Sequence, residues 1–316
     1  MLDSTPIDII ILTYKPAEKF LALMDALTTQ TLRPGRIIIM NTGAEHFAAL
    51  MDERDFLEKY DTSVIFHVSE EEFDHGRTRN LAVGHVEADS FVMMTQDAVP
   101  ADTYLLENLQ RGLNRPAAPR PAVCYARQIA GTDSDELERF MRSFNYGPES
   151  HEKTLADVGR LGIKAYFCSN VCAIYDRQIF DDLGGFVDRA IFNEDMIYAA
   201  KAVKAGHSIR YEAAARVFHS HDYSFRQQRQ RSFDLGVSHA AHPEVFADLA
   251  PEAEGLRLIA AASAHLLAQK KPWLIFKLLG LSLARYRGFR LGKNYRRLSA
   301  ARILKNSANK NYWHSQ

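Results

Sequence analysis

Apolar residues fall along this chain in short β-branched runs that alternate with segments of helical period. Ile7-Asp8-Ile9-Ile10-Ile11-Leu12 reads as a buried strand ending at Thr13-Tyr14-Lys15-Pro16, because β-branched side chains suit a pleated sheet and proline stops the pairing. Phe20, Leu23, Met24 and Leu27 recur at helical spacing within Ala17 to Gln30. Arg33-Pro34-Gly35 then breaks the pattern, and Ile37-Ile38-Ile39-Met40 forms a second strand ending at Asn41-Thr42-Gly43. A second helix near Glu45 to Lys59 and a third strand, Ser63 to Val68, complete a β-α-β-α-β unit. A parallel sheet with right-handed crossovers is the default topology for such a unit. Phe91-Val92-Met93-Met94-Thr95 is a further buried strand running into Gln96-Asp97, and Pro100 is expected to prevent further regular pairing. Asp97 therefore sits at the carboxyl end of a strand, where open α/β sheets bind ligands.

A lone carboxylate at that place suits a hard divalent cation that also holds a diphosphate. The alternative is an N-terminal cap for a helix from Ala101 onward. No glycine-rich dinucleotide fingerprint follows the first strand, so a nucleotide is not held in that manner. The run Glu70 to Asn80 is too polar for a core element. Thr78 as a cap would place Arg77 and Arg79 near a helix N-terminus, a natural site for phosphate oxygens; a solvated charged loop is the other reading.

In the second half, Val171 to Tyr175 reads as a strand, and Leu183-Gly184-Gly185-Phe186 as a turn using glycine's conformational freedom. Asn193 is expected to cap a helix carrying Glu194 and Asp195 in its first turn, with Gly206 as its stop. Carboxylates there often only complement the helix dipole. Val217 to Asp222 is another strand, ending in polar groups and carrying His219 and His221. The polar segment Tyr223 to Ala240, with Arg226, Arg229 and Arg231, reads as a helix closing over the site, and His242-Pro243 as a boundary.

With 316 residues, 47% hydrophobic and 25% charged, the chain has the composition of an ordinary globular protein with a sizeable core. Its zero net charge conceals an asymmetry. Leu256 to Gln316 holds 13 Lys and Arg and no Asp or Glu, which leaves 26 basic against 39 acidic residues, a net of −13, in residues 1–255. A basic tail on an acidic body points to an anionic surface, membrane phospholipid or nucleic acid, as partner. The odd number of cysteines, Cys124, Cys168 and Cys172, without a CxxC pair argues for buried thiols and a reducing cytoplasm. No secretory leader is read at the start, and no run reaches membrane-spanning length; Pro272 to Ala284 comes nearest but contains Lys277.

Taken in order, Ile10-Ile11-Leu12-Thr13-Tyr14, His75-Gly76-Arg77-Thr78-Arg79-Asn80, Thr95-Gln96-Asp97-Ala98, Gly184-Gly185-Phe186 and Asn193-Glu194-Asp195 resemble the family 2 inverting glycosyltransferases of GT-A fold. Among these the chain is most similar to bacterial rhamnosyltransferases that build surface polysaccharides, over about residues 5 to 240. The resemblance implies an α/β fold, Rossmann-like, with a mostly parallel sheet flanked by helices. It implies a GT-A domain over 1–240, with a nucleotide-binding half to about 110 and an acceptor and catalytic half over 111–240, followed by a basic helical tail over 241–316. The family's Asp-x-Asp motif corresponds to Thr95-Gln96-Asp97, with Asp97 as the carboxylate ligand of Mg²⁺ or Mn²⁺. Thr13, Tyr14 and Asn41 would lie beside the nucleotide, and Arg79 and Gln96 near the diphosphate. His219, ahead of His221, falls where the family places a metal-binding histidine, and Gly184, Gly185 and Phe186 mark the acceptor region. Asp195 would be the general base, with Glu194 positioning acceptor or loop.

These parts suit a one-step displacement with inversion, a base on one face and charge neutralisation on the other. The expected donor is dTDP-rhamnose and the expected acceptor a glycan, free or lipid-linked. The apolar and cationic residues from about Gly255 onward suit an interfacial helix on anionic lipid, which places the protein peripherally on the inner face of the cytoplasmic membrane. A nucleotidyltransferase on a similar sheet is the rival enzyme. A nucleic-acid-binding arm is the rival binding role, against which the lack of any recognised module speaks; no nucleic acid is expected as partner.

Overall fold

The structure is a computed structural model and describes residues 6–132, 134–220, 223–247 and 252–314. Strand β1 (Ile7–Tyr14), helix α1 (Glu18–Thr28), β2 (Pro34–Thr42), α2 (Ala44–Ala48), α3 (Glu53–Lys59) and β3 (Ser63–Val68) form the opening unit. Its strands pair in parallel, β1 with β2 and β2 with β3, as the alternation of elements requires. Phe20, Leu23, Met24 and Leu27, the periodic residues of α1, are all fully buried. The single helix expected from Glu45 to Lys59 is instead two, α2 and α3. The chain restarts at Asp52, whose carboxylate accepts from the backbone N–H groups of Arg54 and Asp55, a local cap that competes with continuation of the first helix.

Helix α4 (His75–Val83) leads to β4 (Ser90–Thr95), β5 (Val99–Pro100), α5 (Leu105–Leu113) and β6 (Pro121–Ile129). Two expectations change here. The cap of α4 is Asp74, which accepts from the backbone of Gly76 and Arg77, while Thr78 lies one turn inside and accepts from the Asp74 N–H. Pairing also resumes after Asp97, because Val99 and Pro100 join the sheet as an edge strand, the position where a missing N–H is tolerated. The next helix starts only at Leu105, so Asp97 caps nothing.

The chain continues through α6 (Glu136–Asn145), β7 (His151–Lys153), α7 (Val158–Leu161), β8 (Cys172–Asp176), α8 (Arg177–Asp182), α9 (Glu194–Lys204) and β9 (Ser208–Phe218). The nine strands of the described residues form one sheet in the order β3-β2-β1-β4-β8-β6-β9-β5, with β7 also on β9. The sheet is mixed: β4 pairs in parallel with β1, but β8 runs antiparallel between β4 and β6. One apolar cluster lies on each face of it, as a central sheet covered by helices on both sides requires. Cys124, Cys168 and Cys172 are free thiols buried in these layers.

The remaining helices are α10 (Phe225–Ala241), α11 (Pro243–Phe246), α12 (Glu252–Ala268), α13 (Leu274–Lys293), α14 (Ala300–Asn306) and α15 (Asn311–His314). Helix α13 lies directly on α10. A Cβ added at Gly288 would come within 2.2 Å of the Arg229 carbonyl, and one at Gly292 within 2.0 Å of the Phe233 carbonyl, so only glycine permits this approach. The opposite face of α13 is open: Trp273, Phe276, Leu279, Leu283 and Tyr286 recur every three or four residues and are all exposed. No helix among the described residues is long and apolar enough to cross a membrane.

The end of the chain folds back on α10 and on the segment after β3. The Asp234 carboxylate of α10 accepts from Ser307, Ala308 and Asn309, and Asn311 donates to the Glu70 carbonyl. Part of the tail's positive charge is spent internally, since Lys271 pairs with Glu136 and Lys277 with Asp135 at the start of α6.

Candidate active site

Strand β4 delivers Asp97 to the carboxyl edge of the sheet, and the end of β9 delivers His219 beside it. The His219 Nε2 lies 3.6 Å from Asp97 Oδ1, and its Nδ1 lies 3.0 Å from Gln128 Oε1. Gln128 Oε1 also accepts from Arg142, and its amide nitrogen donates to Ser169 Oγ. With the amide oriented in this way, Oε1 is an acceptor, so His219 donates from Nδ1 and its Nε2 faces Asp97. An imidazole oriented by its far nitrogen, beside a carboxylate, is a donor set that suits a divalent metal. Among the described residues no cluster of three or more His, Cys, Asp or Glu stands ready to hold a metal; the remaining ligands would be donor diphosphate oxygens and water, as hard cations accept. His221 lies outside the described residues. Gln128 and Arg142 were not read from the sequence, although a glutamine near the end of the buried strand Pro121–Ile129 was the available signal.

The start of α9 carries the second half of the site. Asn193 takes a left-handed conformation, φ 65°, and makes no side-chain cap. The expected cap is therefore replaced by a backbone kink that aims Glu194 and Asp195 inward. Asp195 Oδ2 accepts from the Asn170 backbone N–H at 3.0 Å and Oδ1 from that of Met196 at 2.7 Å. The Asn170 side chain donates to Glu194 Oε1 and accepts from the Tyr175 hydroxyl, so one asparagine grips both carboxylates. Arg79 Nη1 lies 3.3 Å from Glu194 Oε1 and donates to the His75 carbonyl. Burial alone would raise the Glu194 carboxyl, but the Arg79 charge holds it below the usual range. Asp195 is pushed up toward neutrality, first by burial and then by the adjacent Glu194 charge. The two neighbouring carboxylates thus have opposed shifts, Glu194 held ionised and Asp195 able to take up a proton, the pattern of an acid–base site.

Several expected ligand contacts are instead structural. Arg79 is 7% exposed and paired with Glu194, so in this structure its guanidinium braces that carboxylate. Asn41 is wholly buried, accepting from Thr13 Oγ1 and donating to the Gly43 carbonyl, with His67 also in contact; Thr13 and Asn41 brace the strand ends from within. Gln96 clamps the main chain of Tyr14 through both amide atoms. Tyr14 keeps a partly exposed ring, edge-on to His46 and with the Lys15 ammonium over it, and its hydroxyl on Glu70. Gly184 and Gly185 both have positive φ as expected, but Phe186 is buried against Tyr175, Phe180 and Tyr198. Asn80 bonds both the N–H and the carbonyl of Phe186. The turn is thus a tether between α4 and α8, not an acceptor wall.

The sequence profile of Glycosyl transferase family 2 matches residues 8–184. The chain is 36% identical over 312 residues to the O-antigen chain rhamnosyltransferase RfbN of Salmonella typhimurium, covering 98% of this chain and 96% of that one. It is 36% identical over 292 residues to the O-antigen chain rhamnosyltransferase WbaN of Salmonella anatum, covering 92% and 90%. Among solved structures, the mannosyltransferase PcManGT from Pyrobaculum calidifontis, in complex with GDP-Man and Mn²⁺, superposes with a TM-score of 0.57 at 18% identity, over 99% of this chain and 88% of that one. TarS residues 1–349 of S. aureus superpose with a TM-score of 0.52 at 14% identity, over 92% and 91%. The structural matches establish a GT-A-like fold, a mixed sheet flanked by helices. With a profile match over more than half its length and near full-length relatives, the chain belongs to glycosyl transferase family 2.

Proposed function

We propose that the protein transfers L-rhamnose from dTDP-rhamnose to a hydroxyl of a lipid-linked or growing cell-surface glycan, in one inverting displacement. The observation that carries this reading is Asp195: a buried carboxylate with a raised pKa, held by one backbone N–H on each oxygen and backed by the Arg79–Glu194 pair. Such a group takes a proton near neutral pH. In the reaction the acceptor oxygen forms its bond to the anomeric carbon, its proton passes to Asp195, and the bond from that carbon to the leaving diphosphate breaks. Asp97 and His219 would hold a divalent cation, Mg²⁺ or Mn²⁺, which when bound neutralises charge on the leaving diphosphate. The partly exposed Tyr14 ring offers a stacking face to the nucleotide base. The relatives named as O-antigen rhamnosyltransferases support rhamnose as the sugar, and the Mn²⁺ in the mannosyltransferase complex supports the metal.

The tail completes the reading. The outer face of α13 carries Trp273, Phe276, Leu279, Leu283 and Tyr286 with Arg287 and Arg290 among them, all exposed. Apolar area framed by cations and free of acids is what anionic lipid recognises, so this face is proposed to rest on the membrane. The test of the reaction is calorimetric titration with dTDP-rhamnose, UDP-glucose, UDP-galactose and GDP-mannose, each with Mn²⁺ and with EDTA. Mn²⁺-dependent binding of dTDP-rhamnose alone is expected; binding of none by folded protein would defeat the proposal.

A further inference from the structure

Between α6, the segment around α7, α10 and α13 lies a cavity of about 660 Å³, within the usual range of roughly 300–1,000 Å³ for ligand pockets. Its wall carries the cations Arg142, Lys153, Lys164, Lys277, Arg231 and Arg285 and the acids Asp135 and Glu138. Both acids are already engaged, Asp135 by Lys277 at 2.8 Å and Glu138 by Arg142 at 2.9 Å. Arg231 and Arg285 are different: among the described residues neither guanidinium has a carboxylate or carbonyl acceptor. Arg231 instead lies over the rings of Phe192 and Tyr223. Arg285 is accessible within the cavity yet crowded by protein, and that burial lowers its pKa from the usual guanidinium value. Each feels an acid only at longer range, Arg285 that of Glu138 and Arg231 that of Asp234, and with cations outnumbering acids on the wall a bound anion would gain charge-assisted hydrogen bonds.

The cavity also borders the catalytic residues. Tyr146 on its wall lies near Ser169, the neighbour of the asparagine that holds Asp195, and feels the Asp195 charge. Arg142 on the same wall donates to Gln128, which orients His219. Helix α13 forms one side of the cavity through Arg285 and Leu281, while its other face carries the exposed apolar row. A ligand spanning these features has a hydroxyl at Asp195, a phosphate at the paired arginines and an apolar portion leaving along α13.

We propose that this cavity is the acceptor's phosphate subsite, with Arg231 and Arg285 binding an anionic phosphate or diphosphate that joins the acceptor sugar to its apolar carrier. The inference rests on the glycosyl-transfer reading and adds to it the place and chemistry of acceptor recognition. A diphosphate belonging to the donor presents the same oxygens, so the test separates the two sources.

Octyl phosphate, octyl glucoside and inorganic phosphate are titrated into the full-length protein by calorimetry, alone and after saturation with dTDP and Mn²⁺. The expected result is that octyl phosphate binds in both conditions and octyl glucoside in neither. Arg285→Ala and Arg285→Gln are expected to weaken octyl phosphate by about tenfold or more, the worth of a charge-assisted hydrogen bond, with Arg231→Ala behaving alike and dTDP binding retained. Loss of octyl phosphate binding on dTDP saturation would assign the anion to the donor, and unchanged affinity in both Arg285 variants would remove the subsite; either overturns the proposal. Asp195→Asn separates the two readings, since it is expected to abolish transfer while leaving octyl phosphate affinity unchanged.

Discussion

Arg79 and Glu194 meet at 3.3 Å with both side chains almost wholly buried, joining the helix after β3 to the helix that carries the proposed base. Removing either partner strands the other's charge in the interior, which costs about 3–5 kcal/mol. Arg79→Met and Glu194→Met are each expected to lower the unfolding free energy, read from urea titration, by that amount. The double variant should recover roughly half of the summed loss, because it leaves no orphaned charge. Strictly additive losses would show that the pair does not act as a unit.

The pH dependence of catalysis follows from Asp195. Its carboxyl is raised by burial and by Glu194, and a base works only when deprotonated, so kcat/KM should fall as pH drops through a limb lying well above the usual aspartate range. The Glu194 charge is the second cause of that rise, so Glu194→Gln should shift the limb to lower pH. Asp195→Asn should lose about 10²–10⁴-fold in kcat with donor affinity retained. A limb at the ordinary carboxylate position would remove Asp195 from this role.

Metal binding should depend on more than its two ligands. Asp97→Ala and His219→Ala are expected to abolish Mn²⁺ stimulation of dTDP-rhamnose binding. Gln128→Leu, which frees the imidazole to rotate, should weaken Mn²⁺ by about 10–100-fold, as loss of an orienting partner does. Mn²⁺ titration in the presence of donor measures all three, and wild-type affinity in Gln128→Leu would refute the orienting role.

The α10–α13 contact predicts a sharp difference between glycines. Gly292→Ala places a methyl 2.0 Å from the Phe233 carbonyl, whereas Gly255→Ala meets nothing within 4 Å. The first should cost about 1–3 kcal/mol through overpacking. The second should be neutral or stabilise by up to about 1 kcal/mol, the helix-propensity difference. Thermal melting of the two variants tests this directly.

Membrane contact should be carried by the outer face of α13. Phe276→Glu with Leu279→Glu is expected to release the protein from anionic liposomes in flotation while leaving the melting temperature near wild type, because both side chains are exposed. Undiminished flotation would exclude this face.

The first three strands were legible because their signals are local: β-branched runs between turn residues, read correctly down to the four buried side chains of α1. What the sequence left open was decided by competition or by distance. Asp74 and Thr78 are both capping residue types, and only the geometry of the helix start shows that Asp74 takes the position while Thr78 supports it. Asn193 stood at the right place for a cap but is used for its tolerance of positive φ. Asp97 was singled out by its place at a strand end, whereas His219, Glu194 and Asp195 were singled out by the family resemblance. The destinations of Arg79, Asn41 and Gln96 were not legible, since each is fixed by a partner far along the chain or on a neighbouring strand. Phe186 carried no signal distinguishing a pocket wall from a core ring, and the aromatic cluster around it decided the matter.

The backbone-to-backbone seating of Gly288 and Gly292 on α10 makes the carboxyl-terminal region a rigid bracket rather than a leash. Whatever plane the outer face of α13 rests on, the crevice at Asp195 is held at one height and one tilt above it. Reach then becomes a form of selection: a hydroxyl at the right elevation is presented to the base on every encounter, and a chemically identical one a few sugars further out is not.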